Sequence, residues 1–353
     1  MGLKVTGIDD NGFALNKASP TIAVDEQSAN AMGGTEMMKY GLYERLPDSL
    51  KDYFQIICSR VRELDISRNR ILWLHDMWND PEAAHLKDVE SRARFLKMIF
   101  VSHWQFTTYQ LGLGVPFMDG IVMKNAIEPI PTPEKKPSDG PLKFIYHTTP
   151  HRGLILLVPA FKRLAEEVDF DVHLDVFSSF EIYGWKERDR DFETLFQECR
   201  DDPNITYHGF QPNDVVRKAL SEAHMFAYPN IWPETSCIAM MEAMSAGLSI
   251  VCPSLGALPE TCANFATMYP YHEDMQYHID LFYQVMKFTA ENYWNEEHAK
   301  KLRFQKAYAD SFYSWDLRIE EWKGLLMNFR DSCEQQQNQQ YDIPEDYEGF
   351  LNQ

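Results

Sequence analysis

Two glutamates stand eight positions apart in the segment from Pro233 to Gly247. Glu234 follows Pro233 at a predicted helix start, and Glu242 is predicted two turns inside an otherwise apolar helix. Glutamate is seldom buried without a partner. A helix N-terminus offers unpaired N–H groups and a positive dipole end that suit phosphate. Two acids around such a terminus predict a site for a phosphorylated, hydroxyl-rich ligand, such as a nucleotide-sugar.

The elements around this segment predict a parallel sheet with helices on both faces. From residue 141 onward, short apolar runs alternate with stretches of helical spacing or composition. The predicted strands of this half are Leu142–Tyr146, Val172–Phe177, Asn204–His208, Met225–Tyr228 and Ser249–Cys252. This alternation is typical of α/β domains, whose ligands bind beyond the carboxyl ends of the strands.

The first half has a less regular pattern. Its candidate strands are Ile71–Leu74, Met98–Val101 and, more weakly patterned, Gly120–Met123. A helix is predicted over Thr35–Leu46, directly after the glycine pair Gly33–Gly34. The pattern indicates α/β structure here as well.

Composition sets the expected domain boundaries. The first domain is expected over residues 1–135 and the second over residues 141–312. The segment Pro129–Gly140 is rich in proline and charge and is typical of an interdomain linker. Residues 333–353 are rich in Gln, Asn and acid, which predicts a disordered tail.

Charge and composition exclude several classes of protein. The formal net charge is −19, whereas nucleic-acid binding requires clustered Lys and Arg, so nucleic acid is not an expected partner. The six cysteines have no metal-type spacing and are typical of a reducing compartment. No apolar run approaches the roughly 20 residues of a spanning helix, and no signal peptide is evident. The expected location is the cytoplasm, with peripheral contact to a membrane left open.

These residues together resemble the retaining nucleotide-sugar glycosyltransferases of family 4, in group 1. The resemblance covers about Gly33 to about Leu326 and is stronger in the second half. It implies the GT-B architecture, in which two Rossmann-like domains face each other across a cleft. The first would be the acceptor domain and the second the donor domain, with residues 313–330 forming a helix that crosses back to the first.

The acidic element gives the most specific part of the resemblance. By its match, Glu234 would face the donor sugar and act in catalysis, and Glu242 would hold the ribose. Where familiar members have Gly-Phe-Gly, this chain has Thr235, Ser236 and Cys237, followed by Ile238. The amides of these four residues would approach the donor phosphates, and Thr235 or Ser236 would cap the helix.

The segment from Tyr146 to Leu154 resembles the diphosphate clamp of the family. Arg152 stands where the family has lysine, and its guanidinium can bind two oxygens of the leaving diphosphate. His147 stands where the family has arginine, so a neutral imidazole would contribute less charge. Thr148, beside it, is a further donor-binding candidate.

The first half supplies weaker parts of the resemblance. Ala31–Glu36 resembles a glycine-rich loop in which Gly33 and Gly34 let backbone amides approach phosphate. His75, after a predicted strand, resembles a histidine that binds the sugar. Lys124–Glu128 resembles the end of the first domain.

The resemblance implies a metal-independent transfer of a hexose-type sugar from a UDP-sugar or GDP-sugar, without a further cofactor. The acceptor is a hydroxyl of a glycan, a lipid or a protein, and the sequence does not choose among them. Two other functions stay open: a nucleotide-sugar epimerase or hydrolase on the same fold, and a non-catalytic nucleotide-sugar-binding protein.

Overall fold

A computed structural model gives the architecture and describes residues 33–133, 135 and 140–341, with side chains up to residue 335. The first two residues of the predicted glycine-rich loop, Ala31 and Met32, lie outside the described residues. The last part of the predicted tail, residues 342–353, lies outside them as well.

Helices and strands alternate through most of the described chain. The α-helices are α1 (Gly34–Arg45), α2 (Asp48–Tyr53), α3 (Val89–Arg92), α4 (His103–Leu113), α5 (Leu154–Glu167), α6 (Glu193–Asp201), α7 (Asn213–Glu222), α8 (Ile238–Ser245), α9 (Leu258–Cys262), α10 (Met275–Glu291), α11 (Glu296–Phe312) and α12 (Trp315–Tyr341). The strands are β1 (Phe54–Cys58), β2 (Asn69–Leu74), β3 (Lys97–Phe100), β4 (Gly120–Val122), β5 (Leu142–Tyr146), β6 (Val172–Val176), β7 (Ile205–Tyr207), β8 (Met225–Ala227), β9 (Ser249–Pro253) and β10 (Thr267–Tyr269). Short 3₁₀ turns cover Pro81–Lys87, Phe117–Asp119, Pro150–Arg152, Phe180–Tyr183 and Lys186–Phe192.

The first lobe is a parallel sheet in the order β1-β2-β3-β4, with α1, α2, α4 and α12 packed around it. Ile71 of β2 lies opposite Ile56 on one side and Lys97 on the other. The prediction of β2, β3 and β4 is confirmed to within two residues at each end. Strand β1 was not predicted.

The second lobe is a parallel sheet in the order β10-β9-β8-β5-β6-β7, with α5 to α11 around it. The central strand β5 pairs with β6 on one side and with β8 on the other. The strand order therefore reverses beside β5, and a crevice at the carboxyl end of such a sheet is where ligands bind. The five strands predicted for this half are confirmed, and β10 was missed.

The chain passes twice between the lobes, and the two crossings pair with each other. The Ile127 N–H donates to the Tyr313 carbonyl at 2.7 Å, and the Trp315 N–H donates to the Ile127 carbonyl at 3.2 Å. Beyond this point α12 packs into the first lobe, where Trp322 is fully buried. The predicted linker begins as part of the second lobe, because Ile130 is buried in its core and its N–H donates to Ser245 Oγ at 2.8 Å.

Helix α12 continues to Tyr341, so the prediction of a disordered tail is wrong for residues 333–341. Gln-rich sequence has good helix propensity, and here it extends a helix that is already formed and anchored on the first lobe. None of the described helices is long and apolar enough to cross a membrane.

Candidate active site

Glu234 lies buried in the loop between β8 and α8. Its carboxylate forms an ion pair with Arg152 and accepts a hydrogen bond from the Tyr228 hydroxyl at 2.6 Å. The helix begins only at Ile238, so the prediction of a helix start at Glu234 is wrong by one turn. The reason is that the Glu234 carbonyl accepts from the Ala257 N–H, on another element, at 2.8 Å.

Arg152 ends a 3₁₀ turn that follows β5. Its Nε donates to Thr149 Oγ1 at 3.2 Å, which directs the guanidinium toward Glu234. The next residue must be glycine: Gly153 has φ +130°, and a Cβ there would lie 2.2 Å from the Pro229 carbonyl oxygen. The backbone after β5 is thereby pressed against the segment after β8, and this brings Arg152 and Glu234 together.

Burial and the neighbouring charge shift the pKa of Arg152 in opposite directions. Burial alone would lower its pKa, but the Glu234 carboxylate, with Tyr183 and Tyr228 behind it, raises the pKa well above the ordinary value. The guanidinium therefore stays charged. A cation so placed at the carboxyl end of a parallel sheet is suited to an anionic ligand.

The first lobe meets this site through the start of α1. A Cβ on Gly33 would lie 2.5 Å from the Tyr183 ring, and one on Gly34 would lie 3.1 Å from Ile238 Cδ1. The glycine pair thus allows the N-terminus of α1 to approach the N-terminus of α8 closely. This contact places Gly33 and Gly34 of the first lobe opposite Ile238 of the second.

His75 also reaches across the cleft, through its backbone. The Thr235 hydroxyl donates to the His75 carbonyl at 2.7 Å. The imidazole packs against Trp73, with ring centroids 4.6 Å apart, and burial lowers its pKa to about 3. The ring is therefore neutral at physiological pH, and its carbonyl is the part that faces the second lobe.

His147 is neutral for the same reason. Its ring lies 4.8 Å from that of Phe226, and burial lowers its pKa to about 4. It cannot supply the second cation of a diphosphate clamp. Neither His75 nor His147 has a well-oriented hydrogen-bond partner for its ring nitrogens among the described residues.

The turn before α8 leaves its polar groups available. Ser236 Oγ and Thr148 Oγ1 are buried without a well-oriented partner among the described residues. Cys237 is the N-cap residue, no side chain caps the helix, and burial raises the pKa of its thiol well above the ordinary value. The expectation that Thr235 or Ser236 caps α8 is wrong, because Thr235 is bound to His75 instead.

Glu242 lies one turn inside α8, not two, and apart from Arg152 and Glu234. It accepts from Arg217 Nη1 at 3.1 Å and lines a separate cavity of about 90 Å³ near the chain crossing. Burial raises the pKa of Glu242, while Arg217 and Asn213 oppose the rise. Both predicted acids therefore lie where the lobes meet, but at separate places: Glu234 pairs with Arg152, and Glu242 pairs with Arg217 beside a cavity that Met38 and Trp315 of the first lobe also line.

Three site residues were not predicted. Tyr228 ends a predicted strand, and a phenol at the carboxyl end of a parallel strand was a signal that could have found it. Tyr183 belongs to the aromatic segment Phe180–Trp185, which carries no local sign of a contact with Gly33. Arg217 comes from α7, and nothing in the sequence indicated its pairing with Glu242.

Beyond the carboxyl ends of β6 and β7 opens a cavity of about 800 Å³. Its lining combines three cations and four carboxylates: Lys186, Arg190, Arg200, Glu181, Glu187, Asp189 and Glu193. It lies on the carboxyl edge of the same sheet as Arg152 and is large enough for a nucleoside. Within the described ranges, no group of three or more His, Cys, Asp or Glu could hold a metal ion.

The segment that carries this geometry matches a known family. Residues 130–283 match the model for glycosyl transferases, group 1. This segment is a group 1 glycosyl transferase domain. It contains Arg152, Glu234 and Glu242, whereas Gly33, Gly34 and His75 lie outside the match. The prediction of a glycosyltransferase is confirmed at the level of this domain. No curated protein sequence matched the chain.

Solved structures confirm the fold over most of the chain. A glycosyltransferase from Rickettsia africae ESF-5 superposes with a TM-score of 0.58 at 14% identity, covering 86% of this chain and 84% of that one. Sucrose-phosphate synthase from Thermosynechococcus elongatus superposes with a TM-score of 0.58 at 13% identity, covering 76% of this chain and 69% of that one. Anabaena HepE in complex with UDP-glucose superposes with a TM-score of 0.56 at 15% identity, covering 74% of this chain and 72% of that one. The group 1 domain is therefore the second lobe of a GT-B architecture, as predicted.

Proposed function

We propose that this protein transfers a sugar from a nucleoside-diphosphate sugar to a hydroxyl acceptor, with retention of anomeric configuration. The observation that carries the proposal is the pairing of Arg152 with the buried Glu234 at the contact between the lobes. The solved complexes of HepE with UDP-glucose and of a pneumococcal O-GlcNAc transferase with UDP and GlcNAc support a nucleotide-sugar donor.

The donor diphosphate is placed between Arg152 and the N-terminus of α8. The amides of Thr235, Ser236, Cys237 and Ile238 stand at the positive end of this helix. Arg152 exchanges part of its contact with Glu234 for phosphate oxygens, which leaves Glu234 to accept hydrogen bonds from sugar hydroxyls. Ser236 supplies a further hydroxyl group that has no well-oriented partner among the described residues.

Catalysis in this proposal is electrostatic. As the bond from sugar to phosphate breaks, negative charge grows on the departing diphosphate, and preorganised donors stabilise it. Arg152 and the α8 amides provide this compensation from the protein, with the Gly33 and Gly34 amides facing them from α1. The mechanism therefore needs no divalent cation, and a diphosphate oxygen accepts the proton of the acceptor hydroxyl.

The acid pair has two roles. Glu234 orients the donor sugar, together with the His75 backbone across the cleft. Glu242 is assigned to the ribose, which requires the ribose hydroxyls to share it with Arg217. Because both imidazoles are neutral, His147 and His75 act as hydrogen-bonding groups and not as cations.

Binding of the leaving group is the first test. UDP and GDP are titrated separately against the protein and followed by calorimetry and thermal shift. We expect one of them to stabilise the protein, with a gain of about 2.7 kcal/mol at a ligand concentration a hundred times Kd. The Arg152→Ala variant should lose this gain, whereas Arg303→Ala, which removes an exposed arginine of α11, should keep it.

Turnover is the second test. Mass spectrometry of a panel of UDP-sugars and GDP-sugars with hydroxyl acceptors should show a transferred hexose, and proton NMR of the product should show the anomeric configuration of the donor. An inverted product would refute retention. Binding without transfer or hydrolysis across the panel would favour the non-catalytic nucleotide-sugar-binding protein, which the neutral His147 keeps as the second candidate.

A further inference from the structure

Glu260 connects the two lobes at a second place, away from the Arg152–Glu234 pair. It lies on α9 of the second lobe. Its Oε1 accepts from the His103 N–H at 2.9 Å and its Oε2 accepts from the Trp104 N–H at 3.0 Å, both at the start of α4 in the first lobe. Oε1 also forms an ion pair with the Lys124 ammonium, where the first lobe ends.

These contacts satisfy groups that the first lobe leaves unpaired. A helix begins with N–H groups that have no intrahelical acceptor, and a carboxylate near them also meets the positive dipole end. Ser102 Oγ caps only one of them, the Gln105 N–H, at 2.9 Å. The cap of α4 is thus completed by a residue of the opposite lobe.

The ionisation of Glu260 is consistent with its contacts to Lys124 and to the start of α4. Burial raises the pKa of Glu260, but Lys124 and the two amides outweigh it and hold the pKa below the ordinary value. The carboxylate is ionised in this contact, and its charge-assisted hydrogen bonds are of the stronger kind.

The opposite end of α9 holds the Glu234 loop. The Ala257 N–H, just before α9, donates to the Glu234 carbonyl at 2.8 Å. Gly256 has φ +60°, and a Cβ there would lie 2.6 Å from the Glu234 nitrogen, so the two backbones are in direct contact. Within five residues, therefore, one short element contacts both the loop of Glu234 and the first lobe.

We propose that Glu260 is a positioning residue that fixes the Glu234 loop relative to the first lobe. Through α9 it sets the distance between Glu234 and the first-lobe groups at the cleft, Gly33, Gly34 and the His75 carbonyl. Its effect on turnover rests on the proposed glycosyl transfer, whereas the contact between the lobes does not.

Amide hydrogen exchange tests the contact without any assay of activity. In Glu260→Ala, the His103 and Trp104 amides should exchange at least about tenfold faster than in the wild type. The Gln105 amide is the internal control, because its acceptor Ser102 belongs to the first lobe and its rate should stay unchanged. Equal rates for His103 and Trp104 in both proteins would overturn the contact.

Steady-state kinetics test the positioning role. Glu260→Ala should lower kcat about tenfold to a hundredfold, because misplacement of about 1 Å is enough for such a loss. The donor KM should change less than kcat does, by about threefold at most, since most of the proposed donor contacts come from the second lobe. Glu260→Gln keeps an acceptor oxygen, so its kcat should lie between those of the wild type and Glu260→Ala. It also provides the kinetic test if the alanine variant does not fold.

A matched variant separates this role from a general loss of charge. Glu222→Gln removes a carboxylate that pairs with Lys143 on the surface of the second lobe, and its kcat should equal that of the wild type. Faster exchange at His103 with an unchanged kcat in Glu260→Ala would refute the positioning role. If the wild type itself shows no transfer, the proposed function fails, while the exchange rates still decide the contact.

Discussion

Two arginine–glutamate pairs of the second lobe, Arg152–Glu234 and Arg217–Glu242, each contain a buried glutamate, and their environments differ. Arg152 and Glu234 come from a 3₁₀ turn and a loop at the carboxyl ends of β5 and β8, and the first lobe lies across from them. Arg217 and Glu242 come from helices, and Arg217 also donates to the Glu128 and Pro129 carbonyls at 2.9 and 3.1 Å.

The difference shows what each pair can contribute. The first pair lies at the carboxyl ends of the strands beside the N-terminus of α8, where the Ser236 hydroxyl has no well-oriented partner among the described residues, so a ligand can exchange with either member. The second pair joins α7 and α8 to the segment that enters the second lobe. We infer that the first pair acts on the reacting sugar and diphosphate, whereas the second holds the lobe to the crossing and keeps Glu242 in place for the ribose, although the same two-glutamate spacing marked both.

Loss of the first pair should have the largest effect on turnover. Arg152→Ala and Glu234→Gln each remove a group that acts on the transition state, so kcat should fall about 10²-fold to 10³-fold. Initial rates of sugar transfer measure this, with Arg303→Ala as the control. Either variant turning over at the wild-type rate would contradict the assignment.

Stability needs to be separated from that loss. Removing one member leaves the other charge without its partner, which should cost about 2–3 kcal/mol, below the full cost of a deeply buried pair because Arg152 is partly exposed. The double variant Arg152→Met with Glu234→Gln leaves no unpaired charge and should fold better than Arg152→Met alone, yet stay equally inactive. Rates are therefore compared per folded protein, from circular dichroism and the unfolding midpoint.

Loss of the second pair should lower stability more than turnover. Arg217→Met leaves the Glu242 carboxylate buried without its cation and the two crossing carbonyls without a donor. The free energy of unfolding should fall by about 2–3 kcal/mol, below the full cost of a deeply buried pair because Arg217 is partly exposed. Turnover per folded molecule should stay within about tenfold of the wild type. A loss of turnover as large as that of Arg152→Ala would show that both pairs act in the reaction.

The pH dependence of that variant gives a finer test. A carboxyl group whose pKa is raised in the folded state stabilises the fold below its unfolded pKa and loses this contribution as the pH rises through the folded value. The pKa of Glu242 is raised from 4.5, and Arg217 limits the rise, so the variant should raise it further. The destabilisation measured by urea should then be smaller at about pH 5 than at about pH 7.5, by about 1 kcal/mol. Equal losses at both pH values would show that Glu242 keeps its charge without Arg217.

Most of the sheet structure could be predicted because buried parallel strands are short apolar runs closed by breakers. Strand β1 follows α2 without a breaker, since Phe54 comes directly after Tyr53, and no pattern separated the two. Strand β10 has only three residues, too few to show a period. The continuation of α12 beyond residue 333 depends on its start, which is anchored on the first lobe.

The site could be predicted only where it is local in sequence. Glu234, Glu242 and Arg152 stand out by spacing and by their place at strand ends or helix starts. Their partners do not: Arg217 lies 25 residues from Glu242, and Glu260 lies 157 from His103. Such contacts depend on how the lobes pack, which a pattern of apolar residues does not encode.

The smallest expected effect comes from a residue remote from both pairs and checks that stability and turnover are separable. Gly324 lies exposed inside α12, and a Cβ there would meet no atom within 4 Å. Gly324→Ala should stabilise the fold by about 0.5–1 kcal/mol, because alanine has the higher helix propensity. When Gly324→Ala is added to Arg217→Met, the free energy of unfolding should rise by the same amount as in the wild type, since the sites share no partner. Added to Arg152→Ala it should restore stability but not kcat, and any recovery of kcat there would mean that the Arg152 variant is inactive because it unfolds.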